Sequence, residues 1–231
     1  MRVAIRIMAI IFAILLCFVF LLSAIRYVAF NQDIYRRIQV KHKIADFVLM
    51  SQESLDSITN SLILYMKGDR QDLVIYDKQD GVKREIFNER EKMHMEDVQN
   101  LFKLSEWVLL ITICLLSIIL IAGFLIDMDI MKSIFLKTVV ITMIITVLFF
   151  IMIIFYMIVD FYNFWIFFHE LVFTNDLYFL DPYTDLLINI MPMEFFVSIC
   201  FNISLYFGLL FLGTFVMMIF TKLMRKVIKN G

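Results

Sequence analysis

The chain alternates long apolar runs with polar stretches, and four of the apolar runs are long enough to cross a membrane as helices. A hydrocarbon core about 30 Å thick needs roughly 20 apolar residues in a helix. The four runs cover residues 7–25, 107–126, 138–159 and 195–220. This pattern predicts an all-α integral membrane protein with four transmembrane helices.

The segments between these runs complete the predicted layout. The first run is too long for a cleaved signal peptide and is interpreted as a signal-anchor. The predicted order is a first transmembrane helix within 1–30, an extracytoplasmic cap at 31–106, a second helix at 107–126, a cytoplasmic loop at 127–137, a third helix at 138–159, an extracytoplasmic interfacial loop at 160–193, a fourth helix at 194–220 and a cytoplasmic tail at 221–231.

The distribution of lysine and arginine predicts the orientation of these helices. Short cytoplasmic segments are enriched in basic residues, whereas loops on the other side are not. Basic residues precede the first run, separate the second from the third and follow the fourth, while residues 160–193 contain none. Both termini are therefore expected in the cytoplasm, with both larger loops outside a cell membrane.

The first half of the cap predicts a helix followed by a β-hairpin. The run SLDSITNSLILYMKG has helical periodicity and ends at Gly68, a typical residue after the last turn. DLVIYD and VKREIF resemble strands joined by a turn at KQDG, in which Gly81 supplies a positive φ. These elements predict a small α/β cap made of a helix plus a β-hairpin.

The second half of the cap predicts another helix, which leads into the second membrane run. Asn88 and Glu91 have the spacing of a capping box at its start. His94 shares a face with apolar residues, so it should point inward, with Asp97 one turn away to orient it. Because His94 lies about 20 Å along a helix from Trp107, a bend or a tilt is expected between them.

The loop at 160–193 predicts two short helices at the membrane interface. The first is WIFFHELVF, which contains His169, with Asn175 as its C-cap. The second is YTDLLINIM, with Asp181 as N-cap and proline at the next position. Asp185 is expected to face water. His169 has no capping role, and an imidazole among phenylalanines is a poor choice for packing alone.

Composition and charge exclude several classes of protein. The chain is 62% hydrophobic with a formal net charge of −1, so it has no basic field for nucleic acid. All three cysteines lie inside the apolar runs, which leaves no disulfide framework and no cysteine nucleophile in a loop. The spans carry no ionisable group at mid-depth, which argues against a transporter or channel.

The histidines leave acid–base catalysis as the available chemistry. His42 lies between lysines and is expected to be solvated, so the candidates are His94 and His169. The second is not part of an HExxH motif, and two histidines make too thin a ligand set for a metal. Such a pair could serve a reaction in which the substrate brings its own nucleophile.

Two motifs resemble the lipoprotein intramolecular transacylase (Lit) family of low-GC Gram-positive bacteria, whose members are four-span membrane proteins. One is Glu91-x2-His94-Met95-x-Asp97-Val98. The other is His169-Glu170-x2-Phe173-x-Asn175-x2-Tyr178-x-Leu180-Asp181-Pro182-x2-Asp185. The resemblance implies His94 and His169 as catalytic residues. It also implies a supporting or pocket role for six others: Asp97, Glu170, Asn175, Tyr178, Asp181 and Asp185.

The resemblance further implies an intramolecular acyltransferase that acts on diacylglyceryl-modified lipoproteins in the membrane. The sn-2 acyl chain would move to the α-amino group of the N-terminal cysteine, which gives a lyso-form lipoprotein without a metal, ATP or acyl-CoA. One histidine would deprotonate the amine, and the other would bind the ester oxygen and protonate the leaving alkoxide. The alternatives are an extracytoplasmic sensor or scaffold, or a lipid hydrolase that uses the same histidines.

Overall fold

The computed structural model describes residues 2–79, 82–125 and 128–230. Nine helices and two strands are assigned within these ranges. In chain order they are α1 (Arg2–Ala29), α2 (Gln32–Lys41), α3 (Ile44–Phe47), α4 (Gln52–Lys67), β1 (Tyr76–Gln79), β2 (Val82–Glu85), α5 (Glu89–Leu125), α6 (Met128–Val159), α7 (Phe161–Val172), α8 (Leu186–Ile190) and α9 (Met193–Asn230).

Four of these helices, α1, α5, α6 and α9, are long and apolar enough to cross a membrane. The predicted all-α architecture with four spans is confirmed, and the chain is a multi-pass membrane protein. Most of the large apolar side chains on α5 and α6 are exposed, as lipid-facing residues should be. The fold therefore consists of a four-helix membrane bundle and a helical cap at one end of it.

Helix α1 lies at the centre of the bundle and packs against α5, α6 and α9. Its buried face is made of small residues, among them Ala9, Ala13 and Cys17. Met143 of α6 and Phe207 of α9 are buried against this face. Small residues let helix backbones approach closely where lipid provides no hydrophobic drive for association.

Two membrane helices extend beyond the bounds that hydropathy predicts. The segment at 127–137, predicted as a loop, lies largely in α6, which begins at Met128. The tail at 221–231, predicted as a separate segment, is helical to Asn230 as part of α9. Neither segment contains a glycine or proline before its last residue that would stop a helix.

The α/β cap is not supported, because the cap is mainly helical. Helices α2, α3 and α4 and the start of α5 make up most of it, and the two strands cover four residues each. The strands pair antiparallel, with Tyr76 opposite Glu85 and Gln79 opposite Val82. The first strand begins four residues later than predicted, and the turn position assigned to Gly81 lies outside the described residues.

Helix α4 forms as its sequence predicts. The side chain of Ser51 caps its first turn by accepting a hydrogen bond from the Ser54 N–H at 3.1 Å. Gly68 ends it with a φ of 83° and donates to the carbonyls of the last turn. Buried residues of α4 pack with those of α2, α8 and the start of α9 in one core. This core places the cap directly on the ends of the membrane helices.

Candidate functional site

The beginning of α5 is joined to the 160–193 loop by a buried carboxylate. The predicted capping box is confirmed, because the Asn88 N–H donates to Glu91 Oε2 at 2.8 Å and the Glu91 N–H donates to Asn88 Oδ1 at 3.0 Å. The second oxygen of Glu91 accepts from the Leu187 N–H at 2.6 Å, at the start of α8. One side chain thus satisfies the first turns of two helices that are distant in sequence.

Asp185 completes this connection. It was predicted to face water, but it is buried. It is 4% exposed and accepts hydrogen bonds from Asn88 Nδ2, the Asp181 N–H and Thr184 Oγ1. Burial alone would raise the pKa of Asp185, but these hydrogen bonds outweigh it and hold the pKa below its usual value. We call Asn88, Glu91, Asp181 and Asp185 the polar junction.

Asp181 is not the N-cap of the short helix before the last span. Its backbone carbonyl accepts from the N–H groups of Thr184 and Asp185, and its side chain accepts from the Tyr183 N–H at 2.9 Å. These bonds close a turn, after which α8 begins at Leu186 with Asp185 in the N-cap position. The Asp-Pro pair therefore starts a turn that delivers Asp185 to the junction.

Asn175 and Asp97 bind each other across the same two segments. The C-cap of α7 is Phe173, so the predicted capping role of Asn175 is wrong. Its Nδ2 instead donates to Asp97 Oδ2 at 2.9 Å, and its Oδ1 accepts from the Leu177 N–H. Within the described residues this is the side-chain hydrogen bond of Asp97, which therefore holds the loop and acts on His94 by its charge alone.

Arg90 is a further tie that the sequence did not single out. Its Nε donates to the Phe179 carbonyl at 3.2 Å, and its guanidinium also binds the Asp176 carbonyl and carboxylate. Arginine donors in a rigid fork suit two acceptors on one loop. The one sign in the sequence was that Arg90 lies beside the capping box. Its partners could not be predicted, because most of them are backbone carbonyls, which have no sequence signature.

These ties bring His94 and His169 together. His94 lies on α5 and His169 on α7, and their ring centroids are 6.2 Å apart with 31° between the ring planes. Each of the two residues is only 8% exposed. Phe173 contacts both rings, at 5.4 Å from His94 and 5.7 Å from His169. Two of the three histidines in the chain thus share one enclosed site.

Aromatic side chains surround His169 on several sides. Trp165 and Phe168 on α7 meet its ring edge to face at 4.7 and 5.5 Å. Tyr178 lies over it at 4.8 Å with a tilt of 34°. Trp165 also stacks on Phe196 of α9 at 4.3 Å, which fixes α7 against the last membrane helix. The predicted pocket role of Tyr178 remains a prediction, but it does contact the histidine.

The hydrogen bond of His169 determines which ring nitrogen is available to a substrate. Nδ1 lies 2.7 Å from the Trp165 carbonyl, which can only accept, so Nδ1 carries the proton. In the neutral ring, Nε2 is then an acceptor. Burial lowers the pKa of His169, and the bond to Trp165 opposes this only in part. His169 is therefore neutral near pH 7, with a lone pair on Nε2.

His94 is held differently, since its Nδ1 is buried without a hydrogen-bond partner in the described part of the chain. An unsatisfied buried polar atom costs about 1–3 kcal/mol. Native structures retain such atoms rarely, and a functional site is one accepted reason. A bound substrate group could supply the missing bond.

Helix α5 is continuous through His94 and Trp107, and the predicted bend or tilt between them remains a prediction. Glu106 of α5 pairs with Arg26 of α1 at 3.6 Å, and His94 is twelve residues, or about 18 Å, further along the helix. Phe150 of α6 packs on α9 at 4.5 Å. The end of α6 is nine residues, or about 14 Å, beyond that contact. Helix α7 begins directly after α6, and the ring centroids of His169 and His94 are 6.2 Å apart, so the two histidines lie at a similar height.

The candidate Glu170 and the excluded histidine His42 both lie apart from the histidine pair. Glu170 is exposed on α7, and the described contacts do not join it to either ring. His42 is not fully solvated as expected, because its Nε2 lies 3.2 Å from Ser198 Oγ on α9. It is nevertheless outside the site.

The described residues contain no cluster of three or more histidine, cysteine or acidic side chains that could hold a metal ion. The cysteines are on membrane helices: Cys17 on α1, Cys114 on α5 and Cys200 on α9. The chemistry that the site offers is proton transfer and hydrogen bonding by two imidazoles in an apolar enclosure.

Comparisons with known proteins agree with this architecture. The family model described as lipoprotein intramolecular transacylase Lit matches residues 10–196. The in meso structure of the membrane integral lipoprotein intramolecular transacylase Lit from Bacillus cereus is similar, with a TM-score of 0.76 and 21% identity over 97% of this chain and 100% of that one.

Structures of two variants of the Bacillus cereus protein, in which a histidine is changed to arginine or to alanine, are also similar. Each has a TM-score of 0.69 at 21% identity over 96% of this chain. The match covers 94% of the arginine variant and 96% of the alanine variant. At this identity the likeness shows a shared fold. No curated protein sequence matches the chain.

Proposed function

Because the chain belongs to the lipoprotein intramolecular transacylase (Lit) family, we propose that it moves the sn-2 acyl chain of a diacylglyceryl lipoprotein to the α-amino group of the lipoprotein's N-terminal cysteine. The product is a lyso-form lipoprotein with one chain on nitrogen and one on glycerol. The observation that carries this proposal is the pair of buried imidazole rings, His94 and His169, 6.2 Å apart between α5 and α7.

The pair fits a reaction whose nucleophile belongs to the substrate. The usual enzyme-bound nucleophile of acyl transfer is a serine or cysteine beside a base, and the described hydrogen bonds place neither against these two rings. The attacking group is instead the α-amine of the substrate, which is tethered to the ester it attacks. Holding two such groups in place is worth about 7–11 kcal/mol in favourable cases.

His169 is the better candidate for the base. Its Nδ1–H is held by the Trp165 carbonyl, so Nε2 is oriented and free to take a proton from the attacking amine. The same hydrogen bond stabilises the imidazolium that results. As the C–O bond of the ester breaks, the imidazolium returns this proton to the sn-2 alkoxide. One proton thus moves from nitrogen to oxygen, and His169 ends the reaction neutral.

His94 is the better candidate for binding the ester oxygen. Burial without a protein partner at Nδ1 favours its neutral form. A neutral imidazole can donate a hydrogen bond to the carbonyl oxygen as negative charge develops on it. Preorganised donors of this kind are typically worth about 3–4 kcal/mol in the transition state.

The aromatic enclosure has a role in the outcome of the reaction. Water that entered the site would attack the same ester and release a free fatty acid. Phe173 contacts both histidines, and Trp165, Phe168 and Tyr178 cover His169. These side chains favour transfer over hydrolysis by excluding water.

The orientation follows from the basic residues of the chain. Both termini lie in the cytoplasm, and the cap with the histidine pair lies at the outer face of the cell membrane. Diacylglyceryl lipoproteins anchored in that leaflet would present their N-terminal cysteine at the height of the site.

Mass spectrometry of a lipoprotein's N-terminal peptide tests the proposal. The wild type, His94→Ala, His169→Ala and the matched control His42→Ala would each be expressed in cells whose lipoproteins carry the diacylglyceryl group and no N-acyl chain. Wild type and the control should shift one acyl chain to nitrogen. Each site variant should slow this transfer by roughly 10²–10⁴-fold.

Three results would contradict the proposal. Free fatty acid without N-acylation would indicate a lipid hydrolase. An unchanged lipoprotein with well-expressed wild type would indicate a sensor or scaffold. Normal transfer by both site variants would remove the histidine pair from the mechanism.

A further inference from the structure

A second site lies between α2 of the cap and α9 of the bundle, away from the histidine pair. It is a cavity of about 440 Å³. Its lining residues are Ile34, Arg37, Ile38, Lys41, Val197, Ser198, Phe201 and Asn202. Two cations and two neutral polar side chains thus share a cavity with apolar groups, and no acidic side chain is among the lining residues that the structure describes.

The two cations lack a carboxylate partner among the described residues. Arg36, next to them on α2, pairs with Asp56 at 3.2 Å. The side chains of Arg37 and Lys41 form neither an ion pair nor a hydrogen bond within residues 2–79, 82–125 and 128–230, and Arg37 interacts electrostatically with the phenol of Tyr206. They are four residues apart on one helix face, where like charges repel. An anion bound between them would remove this cost.

Neutral groups for an anion are also in place. His42 Nε2 lies 3.2 Å from Ser198 Oγ, and Asn202 Nδ2 donates to the Ser198 carbonyl at 2.8 Å. These contacts hold both polar side chains of α9 at the cavity. Asn202 keeps a second amide hydrogen for a ligand oxygen, and Ser198 keeps its hydroxyl hydrogen when His42 Nε2 is the donor.

The cavity lies at the end of the apolar region. Phe150 of α6 packs on Phe207 of α9 at 4.5 Å, and Val159 is nine residues beyond Phe150, as Ser198 is nine residues before Phe207. Ser198 is therefore near the height at which the apolar run of α6 gives way to Asp160. Phe201 and Leu205, further along α9, are 68% and 48% exposed and face lipid.

We propose that this cavity is a binding site for an anionic phospholipid of the surrounding membrane. The phosphate binds Arg37 and Lys41, whose arrangement allows a forked arginine contact and a point charge on the same group. The acyl chains lie along the exposed apolar face of α9 past Phe201. The charge and the apolar face together select a lipid rather than a free anion. This inference does not depend on the proposed transacylase activity.

Native mass spectrometry of the detergent-purified full chain, titrated with phosphatidylglycerol or phosphatidylcholine, tests the site. The wild type should retain phosphatidylglycerol in preference to phosphatidylcholine. Arg37→Gln or Lys41→Gln should each weaken retention about fivefold. The matched control Arg36→Gln removes the same charge from the same helix outside the cavity and should retain the lipid.

Two further experiments test whether the charges themselves are needed and whether the bound group is a lipid or a free phosphate. The double variant Arg37→Lys, Lys41→Arg keeps both charges and should retain the lipid. Inorganic phosphate should not displace it at matched concentration. The proposal is overturned if the two glutamine variants retain phosphatidylglycerol like the wild type, if Arg36→Gln loses as much, or if free phosphate competes equally well.

Discussion

The membrane bundle and the polar junction hold helices together by different interactions. In the bundle, α1 presents small residues such as Ala9 and Ala13 to Met143 and Phe207, and the contacts are apolar. At the polar junction, α5 and α8 are joined by carboxylates that accept directed hydrogen bonds, such as the one from the Leu187 N–H to Glu91 at 2.6 Å. Ala9 and Ala13 of the bundle are buried, as are Glu91 and Asp185 of the junction, but only the junction depends on particular donors and acceptors.

This difference matters for the site, because the histidines are positioned by the junction rather than by the bundle. Apolar packing tolerates substitutions that conserve volume. A buried hydrogen-bonded group does not, since removing one partner leaves the other unsatisfied. Small displacements of reacting groups also cost much of a catalytic rate. We therefore expect activity to be more sensitive to the junction than to the bundle.

The largest effect is expected for Glu91→Leu. The N–H groups of Asn88 and Leu187 lose their acceptor, so the free energy of unfolding should fall by about 2–4 kcal/mol and transfer should be almost abolished. Thermal unfolding in detergent and N-terminal mass spectrometry measure the two effects. Glu89→Leu is the control, because the Glu89 side chain is 84% exposed and, within the described residues, its ion pair is with Lys92 at the surface. Equal losses in both variants would show that the junction is unimportant.

An intermediate effect is expected from acid, which acts on the site but on no mid-depth group of the bundle. Burial lowers the pKa of His169 from the ordinary histidine value of about 6.5. On acidification the ring therefore becomes protonated at a lower pH than an ordinary histidine does. At pH values above this lowered pKa, His169 can act as a base and the rate of transfer is maintained. At pH values below it, the rate should fall about tenfold per pH unit. NMR of the protein with labelled histidines measures this pKa. The signals are assigned with the variants His42→Ala, His94→Ala and His169→Ala, each of which lacks one histidine. Titration of His169 at or above 6.5 would contradict the prediction.

The smallest effect is expected for Met143→Leu in the bundle. Met143 is 1% exposed against α1, and the substitution nearly conserves volume, so the loss of stability should stay below about 1.5 kcal/mol. The rate of transfer per folded molecule should not change. Unfolding and activity measurements on the same preparation check both values. A loss as large as that of Glu91→Leu would remove the contrast between the two regions.

Much of the fold could be predicted from local pattern. The four membrane runs, the glycine that ends α4 and the capping box of Asn88 and Glu91 all depend on residues close together in the chain. Helix propensity and capping act over a few residues, so their signals survive without tertiary contacts. Boundaries were less predictable. Hydropathy marks the apolar part of a helix, whereas α6 and α9 continue into polar sequence.

The candidate site was only partly predictable for the same physical reason. His94 and His169 stood out because polar rings among apolar residues need an explanation. The partners of Asp97, Asn175 and Asp185 did not follow from their spacing, since a carboxylate or amide that could cap a nearby helix can equally bind a distant segment. Asn175 binds Asp97, 78 residues away, and Asp185 binds Asn88, 97 residues away.

The sequence by itself determined that this chain has four membrane helices, which residues could do acid–base chemistry and which family its motifs resemble. These properties depend on hydrophobicity, residue type and short-range order. Only the tertiary structure decided that the two imidazoles meet, that Trp165 fixes the proton of His169 on Nδ1 and that Arg37 and Lys41 share a cavity with α9. Such arrangements arise from hydrogen bonds and contacts between distant segments, whose partners are selected by the packing of the whole molecule.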